Sequence, residues 1–226
     1  MPSTAKAALL TITLGCLFVP PALAQKGADV TIGIMAGANY AKVTQEPASA
    51  DATFDYHTGL VAGAFVGVKV ADAISIEPQA LYSVKGANIK GTGSNSSSTG
   101  SIKLNYLEIP VLVKFWIPMS DSQVKPFLFA GPEFEYLISC KISGKPFGIT
   151  GEQDCDKPPT NIKIKSTDWG ATAGGGLEFK AGQQVVRIDA RYTLGLTDLN
   201  NDPSDKTKAK NRSFMGTIGI GFPLPR

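Results

Sequence analysis

At 226 residues the chain is long enough for one β domain or two smaller ones, and its 18% charged side chains fall below the roughly 25% of an average soluble protein. Its 22 Lys+Arg are scattered among 19 Asp+Glu, for a formal charge of +3, which excludes the basic tract that a nucleic-acid partner requires.

The N-terminus places one charge, Lys6, ahead of the apolar run AALLTITLGCLFV and then PPALAQ. That order is expected to be a cleavable secretory signal over residues 1–24, cut before Gln25. The run is short for a spanning helix, and Cys16 leaves with it. Residues 25–226 then form a single domain. They retain Cys140 and Cys155, which flank a polar loop in an exported chain and are expected to form a disulfide. The rivals are two free thiols or a metal site, and a metal would want more ligands than one pair of cysteines offers.

Past the signal, the chain alternates with period two, the pattern of a strand with two unlike faces. Residues 30–40 set Val30, Ile32, Ile34 and Tyr40 against Thr31, Gly33, Met35 and Asn39. Residues 60–70 and 74–85 repeat the pattern, with Lys69, Glu77 and Lys85 on the more polar face. The fourth segment, LNYLEIPVLVKFWIP, has Leu107, Ile109, Val111, Val113 and Phe115 on one face, and Glu108, Pro110, Leu112, Lys114 and Trp116 on the other. Residues 125–138 place Lys125, Glu133 and Glu135 together with Phe127 and Phe129. Residues 168–179 carry Asp168 and Glu178, residues 186–194 carry Arg187, Asp189 and Arg191, and residues 214–222 alternate Phe and Ile with Gly and Thr. The expectation is eight strands.

Tight turns join these strands at 71–73, at PMSDSQ and at AGQQ, whereas residues 43–56, 91–101, 142–166 and 199–211 are expected to be long polar loops. Short turns at one end and long loops at the other are the pattern of an outer-membrane β-barrel. The predicted fold is therefore all-β, an eight-stranded antiparallel up-and-down transmembrane barrel with short periplasmic turns, long extracellular loops and both termini on the periplasmic side. A soluble lipocalin-like barrel is the structural rival. It would turn the apolar faces inward, but here the polar face carries Lys69, Lys85, Lys114, Lys125, Arg187 and Arg191 against Glu77, Glu108, Glu133, Glu135, Asp168, Glu178 and Asp189. Signs so nearly balanced suit a closed lumen whose charges pair across the bore. The opposite face is apolar for about ten residues per strand, enough to cross the hydrocarbon with tilt. Tyr40, Tyr82, Trp169, Tyr192, Phe214 and Phe222 near the strand ends fit interfacial girdles. Pro110 removes a ladder donor from a sheet with no free edge, so a β-bulge or a missing hydrogen bond is expected there.

Catalytic and metal signals are weak. His57 is the sole histidine, at a loop-to-strand junction, and suits a rim residue in solvent better than a Ser-His-acid site. TDLNNDPSD offers Asp198, Asp202 and Asp205 as oxygen ligands but lacks the spacing and closing Glu of an EF-hand, so a solvated loop is expected. No glycine-rich segment precedes a helix, so there is no phosphate cradle. Neither an enzyme, a cofactor nor a metal is expected.

LYSVKGA, LNYLEIPVLVKF, KPFLFAGPEF, DWGATAGGGLEF, DARYTLGL and NRSFMGTIGIGF occur in the order that resembles PorT-like, porin-family outer-membrane barrel proteins. YLEIP and the AGP after an aromatic strand are the most specific pieces, and the likeness spans essentially the whole exported chain. The resemblance implies a barrel in the outer membrane of a Gram-negative bacterium and says little about activity. One departure is the C-terminus: such barrels often finish on an aromatic residue, whereas this chain ends GFPLPR, with Phe222 its last aromatic. The functional expectation is a monomeric, non-enzymatic scaffold in outer-membrane lipid, its loops open to protein partners. A small diffusion porin and an accessory subunit of an envelope or secretion assembly are the alternatives.

Overall fold

The computed structural model describes residues 29–47, 52–93, 96–119, 123–144, 149–160, 162–202 and 206–225. The expected signal segment and Asp205 lie outside them. Among the described residues there are nine strands: β1 (Val30–Glu46), β2 (Ala52–Ala71), β3 (Ile74–Gly93), β4 (Ser96–Trp116), β5 (Val124–Gly144), β6 (Ile149–Asp154), β7 (Thr167–Ala181), β8 (Gln184–Gly195) and β9 (Lys208–Pro223). Eight of them pair antiparallel in a closed ring, β1-β2-β3-β4-β5-β7-β8-β9, with β9 returning to β1. The ninth, β6, stands outside the ring and pairs with the end of β5 alone.

The eight ring strands are those the alternation predicts, and three of the four expected long loops shrink. The register between β3 and β4 continues through Gly91↔Ser98 and Gly93↔Ser96, so most of the serine-rich stretch is strand. β1 likewise runs on to Glu46, β2 starts at Ala52, and β9 starts at Lys208. Once two strands are paired, backbone hydrogen bonds propagate beyond the membrane through Ser, Thr and Gly. A ladder needs a donor and an acceptor at each residue, not an alternating side-chain pattern. The fourth loop acquires β6, which is clamped to β5 by the Cys140–Cys155 disulfide, with 5.5 Å between the Cα atoms, and to β4 by the Lys103–Glu152 ion pair. Reduction is therefore expected to release the β6 hairpin to protease while the ring keeps its heat-modifiable gel mobility, because no ring pairing passes through the disulfide.

Side-chain direction follows the alternation. Leu107, Ile109, Val111, Val113 and Phe115 point out of the ring, as do Ile32, Ile34, Leu60, Ile188 and Ile218. Eleven residues at about 3.4 Å each, tilted by about 45°, rise about 25 Å, the height of a barrel's apolar band. Outward aromatics form arcs: Tyr40 pairs with Phe214, which pairs with Tyr192, the last two rings 4.7 Å apart. Phe134 and Trp169 approach to 4.9 Å on β5 and β7. Inside, a Cβ on Gly174 or Gly176 would stand 2.7 Å from Phe129 or Phe127 respectively, so these glycines make room for the two inward rings.

At Pro110 the register is unshifted. It pairs with Glu133 on the β5 side, while on the β3 side the ladder skips from Pro78↔Val111 to Leu81↔Glu108. The missing N–H interrupts the ladder without adding a residue. The bulge on this strand comes instead in its pairing with β5, beside Asn105 and Tyr106.

Candidate functional site

Counting along each strand from its tight turn gives the height of an inward side chain in the bore, and the charged residues sort into two layers. In the layer nearer the short turns, Arg187 on β8 donates to Glu77 on β3 at 2.6 Å, and Gln79 donates to the same carboxylate oxygen at 2.7 Å. Arg191 donates to Gln79 Oε1 at 2.8 Å and to Asp189 at 3.0 Å. Lys114 on β4 lies 3.7 Å from Glu77 and 3.0 Å from Glu178 on β7. Aromatic faces close the remaining sides: the Arg187 guanidinium lies 4.0 Å from the Phe65 ring centre, and the Lys114 ammonium 4.0 Å from that of Phe127. Three cations meet three carboxylates, so this layer is neutral.

The second layer is not neutral. Lys85 on β3, with no exposed surface, holds its ammonium 2.7 Å from Glu135, 2.8 Å from Glu108 and 3.6 Å from Glu133, all three equally buried. Asp168 on β7 belongs to the same layer and accepts from Asn211 at 3.3 Å, while the amide of Asn211 also reaches the Tyr106 hydroxyl. Thr193 donates to Glu133 at 3.4 Å. Four carboxyl groups share one ammonium, a formal excess of three acidic groups over basic ones. Near balance over the whole lumen conceals this local imbalance. Glu108, Glu133 and Glu135 are also the group of acidic side chains, among the described residues, whose oxygens are close enough to hold a cation. The Lys85 ammonium already lies at the centre of that group.

Lys69 and Lys125, expected within the lumen network, stand lower. They line a vestibule of about 330 Å³ at the short-turn end together with Lys180 and Asp72, and Glu178 marks its boundary with the neutral layer. Lys125 is exposed there and Lys69 half-buried. A mouth position accounts for both: each sits within a few residues of a tight turn, where the bore meets water.

Above the acidic layer the interior changes character. Tyr106 lies with its ring 5.7 Å from the Lys85 ammonium, and over it the inward residues are Ala87, Ile89, Ile102, Leu104, Val43 and Ile142, with Cys155 packed among them. Val43, Ile89, Ile102 and Leu104 among them line a cavity of about 290 Å³ at the long-loop end. Its upper wall comes from the two long connections. Ile162 donates its N–H to Cys155 at 2.7 Å, Ile164 bridges to Asn200, Lys165 donates to Leu199 at 2.9 Å, and Leu199 donates to Ala209 at 2.8 Å. Asp198, weighed above as a cation ligand, accepts from the N–H groups of Asn200 and Ala209 at 3.1 and 2.9 Å. Partial burial opposes its charge, but those two amides, with Lys165 and Lys208 nearby, outweigh it and lower the carboxyl's pKa from its ordinary value. It anchors the loop. His57 lies on β2 rather than in a loop, with its Nδ1 3.4 Å from the Asn88 side-chain oxygen.

The family whose description is "Outer membrane protein beta-barrel domain" matches residues 23–201. Among solved structures, the outer membrane protein OprG of Pseudomonas aeruginosa is 16% identical, with a TM-score of 0.53 over 88% of this chain and 98% of that one. Neisserial surface protein A is 15% identical, with a TM-score of 0.49 over 85% and 97%. No curated protein matches the chain at a significant level. At these identities the structural likeness concerns the fold.

Proposed function

Because the chain belongs to the outer-membrane β-barrel family, resident in the outer membrane of Gram-negative bacteria, we propose that it acts as a closed, non-enzymatic scaffold that presents its extracellular hairpins to partner molecules. The observation that carries this reading is the pair of charged layers spanning the bore, with Lys85, Glu108, Glu133 and Glu135 buried in one and Arg187 and Arg191 buried in the other. The interior of an eight-stranded barrel is just wide enough for side chains to fill, which supports a bore without a continuous water path. The hydrogen-bonded connections and the disulfide-clamped β6 hairpin supply a firm surface at the far end, where binding loops are carried on a rigid frame. The narrower PorT-like grouping is part of the same proposal and rests on the YLEIP and AGP motifs.

Planar-bilayer recording of the refolded protein tests the reading. The expected trace shows no unitary current steps at either polarity. Reproducible steps of one amplitude, scaling with salt, would replace the scaffold with a pore.

A further inference from the structure

We propose that the extracellular end of the bore is a preformed binding site for a small, uncharged, largely hydrocarbon molecule, such as a monocyclic aromatic or a short alkyl chain. Three observations converge on this, and they are independent of whether the bore conducts.

The first is volume. Packed interiors leave few voids larger than a water molecule, and this cavity, at about 290 Å³, sits at the lower end of the small-molecule pocket range. The second is the frame. Four ring strands contribute Val43, Phe54, Ile89, Ile102 and Leu104, and the connections contribute Ile162, Ile164 and Leu199. Those connections are tied to each other and to β9 by the backbone hydrogen bonds and the Asp198 anchor described above, so the wall does not depend on a ligand to form it.

The third is chemistry. Polar and charged lining groups, Gln45, Lys163, Asn200 and Thr207, are few beside the apolar ones, and all come from the upper strand ends and connections. Water needs two to four polar partners to settle in a cavity, whereas apolar cavities of this kind take up benzene-sized molecules. Below Tyr106 lies the acidic layer, with four carboxyl groups against one ammonium, which disfavours an anionic head group at the floor. Around this part of the wall β2, β3 and β4 are paired, and so are β1 and β9, whereas β1 and β2 pair only as far as Ala41↔His57.

Isoleucine methyl NMR on the full exported chain, refolded in micelles and titrated with toluene, tests the site. Ile89, Ile102, Ile162 and Ile164 report from the cavity, while Ile34, Ile109, Ile188 and Ile218 report from the outer wall. The cavity methyls are expected to shift saturably with one shared affinity, and the outer methyls linearly, as toluene partitions into the micelle. Ala209→Trp, which fills the cavity from β9, is expected to weaken that affinity at least tenfold with gel mobility unchanged. Ile102→Phe supplies the same test from β4 if the tryptophan variant fails to fold. Cavity methyls that shift linearly with the outer ones, or not at all, overturn the proposal. So does an affinity unaffected by filling the cavity in a folded variant.

Discussion

Replacing Lys85 with Met is expected to destabilise the barrel by about 3–5 kcal/mol or more, the range for leaving a buried charge without its partner. Methionine keeps most of the volume, so a cavity contributes little, and the effect is electrostatic. Lys85 is the single cation of its layer, within 2.7–3.6 Å of three buried glutamates, and its loss leaves four carboxylates facing one another. Glu133→Gln should act in the opposite sense. Glu133 is the farthest of the three from Lys85, and a glutamine there can still accept from Thr193. Removing its charge lowers the excess from three to two, with an expected outcome between neutral and about 1 kcal/mol of stabilisation. Guanidinium unfolding of both variants in lipid vesicles measures the pair. Equal midpoints for wild type and Lys85→Met would refute the claim that the upper layer is held by that ammonium.

The ring itself was legible because a half-apolar strand writes its two faces into the sequence with period two. Leu107 to Phe115 and Arg187 to Arg191 declare their inner and outer sides without any tertiary information. The strand ends were not legible, because beyond the membrane the ladder is sustained by the backbone, and GTGSNSSSTGS looks like a loop whether or not it is paired. The signs are countable along the chain, but the two layers differ by height: Glu77, Lys114 and Arg187 each lie close to a tight turn, whereas Lys85, Glu108 and Asp168 lie far up their strands. Counting from the turns would have separated the neutral layer from the acidic one. The same extension finds the apolar mouth. Ala87 and Ile89 continue the parity of Lys85, and Leu104 and Ile102 that of Glu108, so the inner face turns from charged to apolar along β3 and β4. What no parity rule could supply is the upper wall, since Ile164 meets Asn200, and Leu199 meets Ala209, only once the connections fold over the bore.

The outward face makes the second large prediction, because it assigns opposite consequences to neighbouring residues. Val111 lies near the middle of the exposed apolar run of β4, and Phe115 near its short-turn end. Arginine on the lipid face of a barrel costs about 2–4 kcal/mol at the bilayer midplane and about 0–1 near the interface, where the side chain reaches head groups. Val111→Arg should therefore unfold in vesicles at markedly lower guanidinium than wild type, and Phe115→Arg close to wild type once the loss of an aromatic is allowed for by Phe115→Ala. Lys114, one residue away, sets the contrast. It is almost wholly buried in the native protein and is tolerated because Glu77 and Glu178 lie within 3.7 Å. A cation on this strand is thus costly or compatible according to parity and depth, since within the bilayer odd positions meet lipid and even ones meet the paired interior. Were the lipocalin-like arrangement correct, Val111 would point into a cavity and Phe115 with it, and the two arginines would show no dependence on depth. A graded loss that tracks distance from the midplane requires hydrocarbon on the outside of the ring.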